Sequence, residues 1–163
     1  MPSSPPVHLH FSNHLDLSGA FIPKVFLVDE YIFRSYGGNK TYPKEEYFSE
    51  ISSKDIDKGI SVNRGHYCKE PADVLWRNEH TPVDDTIPSC NYTLRNGEVI
   101  YSIYGQLTSA VPPPSVSIAI QSTWVKCNVA HCDIIISPNI SSLTKIESRA
   151  VRLFISSLFK EVI

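Results

Sequence analysis

The C-terminal segment carries the clearest folding signal in the chain, a helix start followed by helical periodicity. Thr144-Lys-Ile-Glu147 has the spacing of a capping box, in which the hydroxyl and the carboxylate each accept a backbone N–H of the first turn. Apolar and small residues then recur at helical spacing, namely Ile146, Ala150, Leu153, Phe154, Ser157 and Leu158. The pattern predicts an amphipathic helix over 144–160 that closes one face of a sheet, with Leu153 and Phe154 buried.

Several segments before this helix have the periodicity of strands. Residues 98–107 alternate between apolar and polar positions, and residues 133–136 form a continuous apolar run suited to a buried strand. Residues 59–63 and 116–120 are also rich in β-formers. Together with the helix, they predict an α+β fold, a mixed and mainly antiparallel sheet with the C-terminal amphipathic helix packed on one face.

The rest of the chain divides into an arm and connecting segments. Residues 1–20 are rich in Pro, Ser and His and predict an irregular N-terminal arm, whereas 21–163 form a single α+β domain. A short helix is expected over 43–51, which begins with proline and acidic residues, and a helical turn at 71–76. Residues 77–96, with two prolines and adjacent aspartates, predict an extended loop.

Composition and charge limit the cellular setting. The net charge of −2 argues against a protein dedicated to nucleic acid, although Tyr92, Tyr101, Tyr104 and Trp124 could form a local platform for stacked bases. No apolar run approaches the roughly 20 residues of a membrane span, and the first residues lack a signal-peptide pattern. The sequence therefore predicts a cytoplasmic protein with no membrane contact.

A cytoplasmic location determines how the cysteines and the glycosylation-type motifs are interpreted. The four cysteines, Cys68, Cys90, Cys127 and Cys132, are then expected to be reduced thiols. Sequons begin at Asn39, Asn91 and Asn139, and without secretion they indicate only polar turns.

Two arginines follow short apolar segments and stand near small hydroxyl residues. Arg34-Ser35 follows residues 31–33, and Ser61-Val-Asn-Arg64 overlaps residues 60–62. A guanidinium group is a planar fork of donors that matches phosphate or carboxylate. The pattern predicts that Arg34, Ser35, Ser61 and Arg64 bind an anionic substrate. The alternative is that each arginine forms an exposed salt bridge with a nearby carboxylate of Glu45, Glu46 or Asp55.

Two histidines are candidates for proton transfer, His131 and His66. Cys127-x-x-x-His131-Cys132 and His66-Tyr-Cys68 contain zinc-ligand types, but no Cys-x-x-Cys pair accompanies them. Strand alternation would also place His131 and Cys132 on opposite faces. We therefore expect no metal site here, and the histidines of the N-terminal arm are expected to bind metal only adventitiously.

The order of these features resembles that of ADP-ribosyltransferase-like proteins and related NAD-consuming toxins. In those families an early strand ends in arginine, a serine-containing strand precedes a helix, and an acidic residue comes later. Phe33-Arg34-Ser35 corresponds to the first element, and Ile60-Ser61-Val62 followed by 71–76 corresponds to the second. Glu98 lies near a late strand start, without the paired glutamate of those families.

Two hypotheses for function follow. The first is a small bacterial enzyme that acts on a nucleotide or NAD-like ligand, in a toxin or defence system, since Asn128-Val-Ala-His131 is also similar to a segment of small bacterial proteins of unknown function. The second is a non-catalytic partner subunit that works through protein–protein contacts. The sequence indicates no particular cofactor.

Overall fold

The computed structural model describes residues 4–27, 29–37, 48, 51–80, 90–95, 100–107, 112–114 and 116–162. Its strands, numbered in chain order, are β1 (Ile32–Gly37), β2 (Ile60–Arg64), β3 (Trp76–His80), β4 (Cys90–Leu94), β5 (Ile100–Gly105), β6 (Ser117–Ser122), β7 (His131–Ser137) and β8 (Phe159–Val162). Its α-helices are α1 (Ser53–Lys58) and α2 (Lys145–Ser157), and 3-10 turns occur at Val7–Leu9, Phe11–His14, Pro71–Leu75 and Ile140–Ser142.

The strands form two antiparallel sheets in the part of the chain that is described. Six strands make the main sheet in the order β6-β7-β2-β1-β5-β8, and β3 pairs with β4 in a separate hairpin. The predicted α+β class, with a mainly antiparallel sheet and a C-terminal helix, is confirmed.

The main core lies on the sheet face that the helices cover. Alternate side chains of the central strands point there, because successive residues of a strand face opposite ways. From the sheet these are Ile32, Ile60, Val62, Ile103, Cys132, Ile134 and Ile136, and they meet Ile56 of α1, Val151 and Ile155 of α2, and Phe48. The opposite face of the sheet is thereby left to the hairpin and to polar side chains.

Helix α2 begins where the sequence predicts. Thr144 Oγ1 accepts from the backbone N–H of Glu147 at 3.2 Å and donates to its carboxylate at 3.0 Å. The helix ends at Ser157 rather than 160, because residues 159–162 turn back as β8 and pair with β5.

The buried face of α2 differs from the predicted one. Val151 and Ile155 are buried, Leu153 and Phe154 are only half-buried, and Ile146 is 83% exposed. Val151 and Ile155 are four residues apart, so they share one face of the helix, and that face packs in the main core. Next to this face the Arg152 guanidinium donates to the carbonyl oxygens of residues 48 and 51 and to Ser53 Oγ, which ties α2 to the start of α1.

Other segments also differ from expectation. Residues 77–96 contain most of the β3–β4 hairpin rather than an extended loop. Helix α1 begins at 53, whereas most of the helix expected over 43–51 lies outside the described residues. The arm has two 3-10 turns, and its Leu9 packs with Tyr67 and Val129 in a second small core. No helix within the described ranges is both long and apolar enough to cross a membrane.

Ile155→Ala should lower the free energy of unfolding by about 2–5 kcal/mol, because a buried branched side chain is lost and a cavity remains. Ile146→Ala is the matched control on the same helix, and its exposed side chain should cost less than about 0.5 kcal/mol. Denaturant titration of both variants measures the difference. Equal losses would show that the buried face has been assigned incorrectly.

Candidate functional site

A cleft of about 500 Å³ has walls from both the hairpin and the main sheet. Its polar and aromatic lining includes Phe33, Arg34, Ser35, Ser61, Asn63, Asp73, Trp76, Asn78, Tyr92, Arg95, Asn128 and His131. Asp73 is the acidic member of this set, and its carboxylate is already engaged by His8 Nε2 at 2.9 Å and by the backbone N–H of Lys69 at 3.0 Å. The remaining charged groups in this list are arginines.

The floor of the cleft follows from strand register. Phe33 pairs with Asn63, and Asn63 pairs with His131, so these three residues form a row across β1, β2 and β7. All three alternate with core residues and therefore lie on the face away from the helices. The row places an aromatic ring, an amide and an imidazole side by side.

Arg34 lies where β1 and β2 part. The two strands pair at only two positions, Ile32 with Arg64 and Phe33 with Asn63. Beyond them the Arg34 Nη1 donates to the carbonyl oxygen of Ser61 at 2.7 Å. This bond spans the gap between the strands and holds the guanidinium at the cleft.

A second arginine acts on Arg34 electrostatically. Burial, and after it the positive charge of Arg95, lower the pKa of the Arg34 guanidinium. Arg95 directly follows β4, and its backbone N–H donates to the carbonyl oxygen of Leu75 at the base of the hairpin. Among the described residues no carboxylate pairs with Arg34, and Asp55, one of the partners considered from the sequence, does not reach it. Both guanidinium groups line the same cleft.

His131 is held by one of its ring nitrogens. Nδ1 lies 2.8 Å from Thr123 Oγ1 and 3.1 Å from the Thr123 carbonyl oxygen. Within the part of the chain that is described, Nε2 makes no hydrogen bond. The nearby amides are also fixed, since Asn128 donates to Asn63 Oδ1 at 2.9 Å and accepts from the backbone N–H of Ala130. A half-buried imidazole with one nitrogen anchored is arranged as proton-transfer groups are.

A disulfide attaches the hairpin to the loop before β7. Cys90 of β4 is bonded to Cys127, with Cα atoms 5.6 Å apart. Tyr92 lies two residues after Cys90 in β4, and its hydroxyl donates to the Cys127 carbonyl oxygen at 2.5 Å. Burial raises the pKa of Tyr92 to about 12. The phenol therefore stays protonated and keeps donating at neutral pH.

The disulfide corrects the expectation of four reduced thiols. Cys68 and Cys132 are free, and burial raises the pKa of both, which makes them poor nucleophiles. Cys127 is consequently no candidate zinc ligand, and no cluster of metal-binding side chains is found among the described residues.

Four of the six residues predicted as a site share the cleft: Arg34, Ser35, Ser61 and His131. Ser35 is half-buried and Ser61 is exposed, and the backbone carbonyl of Ser61 is what Arg34 contacts.

Arg64 is not part of this group. It is fully buried, and its Nε and Nη2 donate to the Glu30 carboxylate at 2.9 and 3.0 Å. Its Nη1 donates to the Lys24 carbonyl oxygen at 2.5 Å, and the guanidinium stacks 3.9 Å from the centre of the Phe26 ring. These contacts leave no donors for a ligand, so the expected pairing of Arg34 with Arg64 is corrected. The other arginines that line the cleft are Arg77 and Arg95.

His66 also lies apart from His131. It is exposed in the turn after β2 and stacks edge-on against Tyr67, with ring centres 4.8 Å apart, and it does not line the cleft. The expected base platform is likewise not assembled as a unit, because Trp124 packs against Phe21 while Tyr92 lines the cleft. Sequence reasoning missed Trp76, Asn78 and Arg95, which belong to a hairpin taken for a loop.

Comparison with known proteins indicates no family. The chain matches no protein-family model, no curated protein and no solved structure. The resemblance to ADP-ribosyltransferase-like proteins therefore stays a prediction, and its late acidic residue, Glu98, lies outside the described residues. What the cleft can do is determined by its own side chains.

The protein, prepared under oxidising conditions and unfolded without reductant, should show two reactive thiols, from Cys68 and Cys132, and four after reduction. The cause is the Cys90–Cys127 bond, which thiol reagents do not attack. A Cys90→Ser/Cys127→Ser variant is the control and should show two thiols in both conditions. Four thiols without reductant would mean that the disulfide does not form.

Proposed function

We propose that the cleft binds a phosphate-bearing, nucleotide-like ligand and that His131 transfers a proton to or from it. The observation that carries this proposal is the placement of Arg34 and Arg95 in the lining of one cleft, where burial, and after it the charge of Arg95, lower the pKa of the Arg34 guanidinium. Aromatic and amide side chains line the same cleft.

Arg34 favours an anion because its guanidinium is partly desolvated and, among the described residues, only its Nη1 makes a hydrogen bond. An anion on the remaining donors would offset the cost of that desolvation. Guanidinium groups match phosphate oxygens in shape as well as charge. Ser35 and Ser61 lie beside Arg34 and offer hydroxyl donors to the same group.

The aromatic lining of the cleft fits a planar, polar ring. Trp76, Phe33 and Tyr92 contribute aromatic surface, which stacks on bases of any identity. Asn78 also lines the cleft, and a side-chain amide offers both hydrogen-bond donors and an acceptor, as the edges of bases do.

His131 gives the proposal its catalytic part. With the proton on Nδ1, the ring donates to either oxygen of Thr123, and Nε2 is then unprotonated and able to act as a base. His66 has no part in this step, because it lies outside the cleft.

The identity of the ligand, the source organism and the cellular location are separate questions. The predicted resemblance makes NAD one ligand to test beside the common nucleotides, and a bacterial origin and a toxin or defence role remain predictions. The predicted cytoplasmic location fits poorly with Cys90–Cys127, because reducing pools keep most cytosolic thiols from forming stable disulfides.

A partner subunit without catalysis is the second candidate, and one observation favours it. The large exposed apolar side chains are concentrated in the N-terminal part of the described chain: Val7, Leu15, Leu17, Ile22, Val25, Leu27 and Tyr31. Concentrated apolar exposure is typical of protein–protein contact surfaces. If the protein binds none of the nucleotides tested below, the non-catalytic partner subunit is the candidate that remains.

Arg34→Lys and Arg95→Lys should each weaken binding of NAD, ADP or ATP by about tenfold or more, because a charge-assisted hydrogen bond contributes about 1.5–3 kcal/mol and an ammonium group cannot replace the fork. Isothermal calorimetry with each nucleotide measures the change. Thermal unfolding should confirm that each variant is folded.

Arg149→Lys is the matched control, since Arg149 is exposed on α2 and does not line the cleft. It should bind like the unchanged protein. Absence of binding for every probe, or an equal loss in all three variants, would contradict the proposed site.

His131→Gln should lower turnover of the bound nucleotide by about 10²–10⁴-fold, because a positioned proton-transfer group contributes on that order. Calorimetric affinity should stay unchanged, which separates catalysis from binding. Thr123→Val should shift the pH profile of turnover, whereas Thr123→Ser should restore it. Loss of affinity with unchanged turnover in His131→Gln would assign His131 to binding instead.

A further inference from the structure

Two of the three sequons lie on described and exposed parts of the surface. Asn91-Tyr-Thr93 is in β4, and Asn139-Ile-Ser141 follows β7. Both asparagine side chains and the hydroxyl residues two positions later are exposed. Neither asparagine side chain makes a hydrogen bond to the described residues, and Asn139 does not cap the 3-10 turn that it precedes. Both amides are therefore accessible to a modifying enzyme.

Strand alternation turns the first sequon away from the cleft. Cys90, Tyr92 and Leu94 are half-buried, whereas Asn91 and Thr93 are exposed on the other face of β4. Tyr92 lines the cleft, so a group attached to Asn91 would extend outwards from the hairpin. A large modification is sterically compatible with the fold at this position.

The disulfide is an independent observation about the compartment. Cys90 is the residue immediately before Asn91, and its bond to Cys127 requires an oxidant that accepts two electrons and two protons from the two thiols. Stable disulfides of this kind are typical of secreted and ER-lumenal proteins. N-glycosylation of Asn-x-Ser/Thr is also a property of secreted proteins, so a sequon beside a disulfide has a meaning that it lacks in a reducing compartment.

We infer that Asn91 and Asn139 are N-glycosylation sites and that the chain folds in an oxidising, glycosylating compartment. The transfer joins the asparagine Nδ2 to the anomeric carbon of an oligosaccharide carried on a lipid diphosphate. The bond from that carbon to the diphosphate oxygen breaks, the diphosphate leaves with the bonding electrons, and a base of the transferase takes one amide proton. This inference is independent of the proposed function, because both glycans lie outside the cleft.

Peptide mass spectrometry of the protein from its own cells tests the inference. Release with a peptide N-glycosidase should convert Asn91 and Asn139 to aspartate, and the intact mass should fall by two glycans. In a eukaryotic secretory host, Thr93→Ala and Ser141→Ala should each remove one glycan. Thr93→Ser and Ser141→Thr keep the sequon and are the matched controls, so they should keep both glycans.

Unmodified asparagine at both positions, in protein whose Cys90–Cys127 bond is intact, would overturn the inference. Loss of a glycan in the conservative variants as well would also contradict it, because the effect would then come from misfolding. A secreted chain with the disulfide and both glycans, and with unchanged nucleotide binding in the Thr93→Ala variant, is the expected result.

Discussion

The bond between Cys90 and Cys127 is the constraint on which the cleft depends. A two-stranded hairpin is marginally stable in water, and β3 and β4 share no strand pairing with the main sheet in the described chain. The hairpin is held instead by the disulfide and by the Tyr92 hydroxyl, which donates to the Cys127 carbonyl oxygen. These links place Trp76 and Asn78 opposite the row formed by Phe33, Asn63 and His131.

Two arginines with the same sequence signal have different roles because their surroundings differ. Arg64 lies next to a carboxylate and two carbonyl oxygens in a dry site, where an unpaired charge would cost several kcal/mol. It therefore anchors the segment around Glu30 to β2. Arg34 lies where two strands part, donates to one carbonyl oxygen and lies 5.9 Å from the centre of the Phe48 ring. Arg34 is therefore the candidate for ligand binding and Arg64 is not, because the fold uses the whole fork of Arg64 and only Nη1 of Arg34 among the described residues.

The sequence predicts features that depend on local periodicity and misses those that depend on distant pairs. The alternating and apolar segments predicted as strands contain β5 and β7, and the Thr144 hydroxyl caps α2 by accepting from the Glu147 backbone N–H. The hairpin is missed because its polar outward face and the prolines beyond it resemble a loop. Cys90 and Cys127 stand 37 residues apart, and no local pattern reveals that pairing.

The residues of the site are also predicted only in part, because some depend on local sequence patterns and others on distant pairing. Arg34, Ser35, Ser61 and His131 lie in or next to short apolar segments that form strands, so local patterns find them, and all four line the cleft. Arg95 and Asn78 enter the cleft only through the hairpin, whose position depends on the disulfide. Strand β4 therefore carries two separate chemical roles on its two faces: Tyr92 lines the proposed ligand site, and Asn91 presents an amide to the outside. Since adjacent residues of a strand cannot share a face, the two roles do not compete for the same surface.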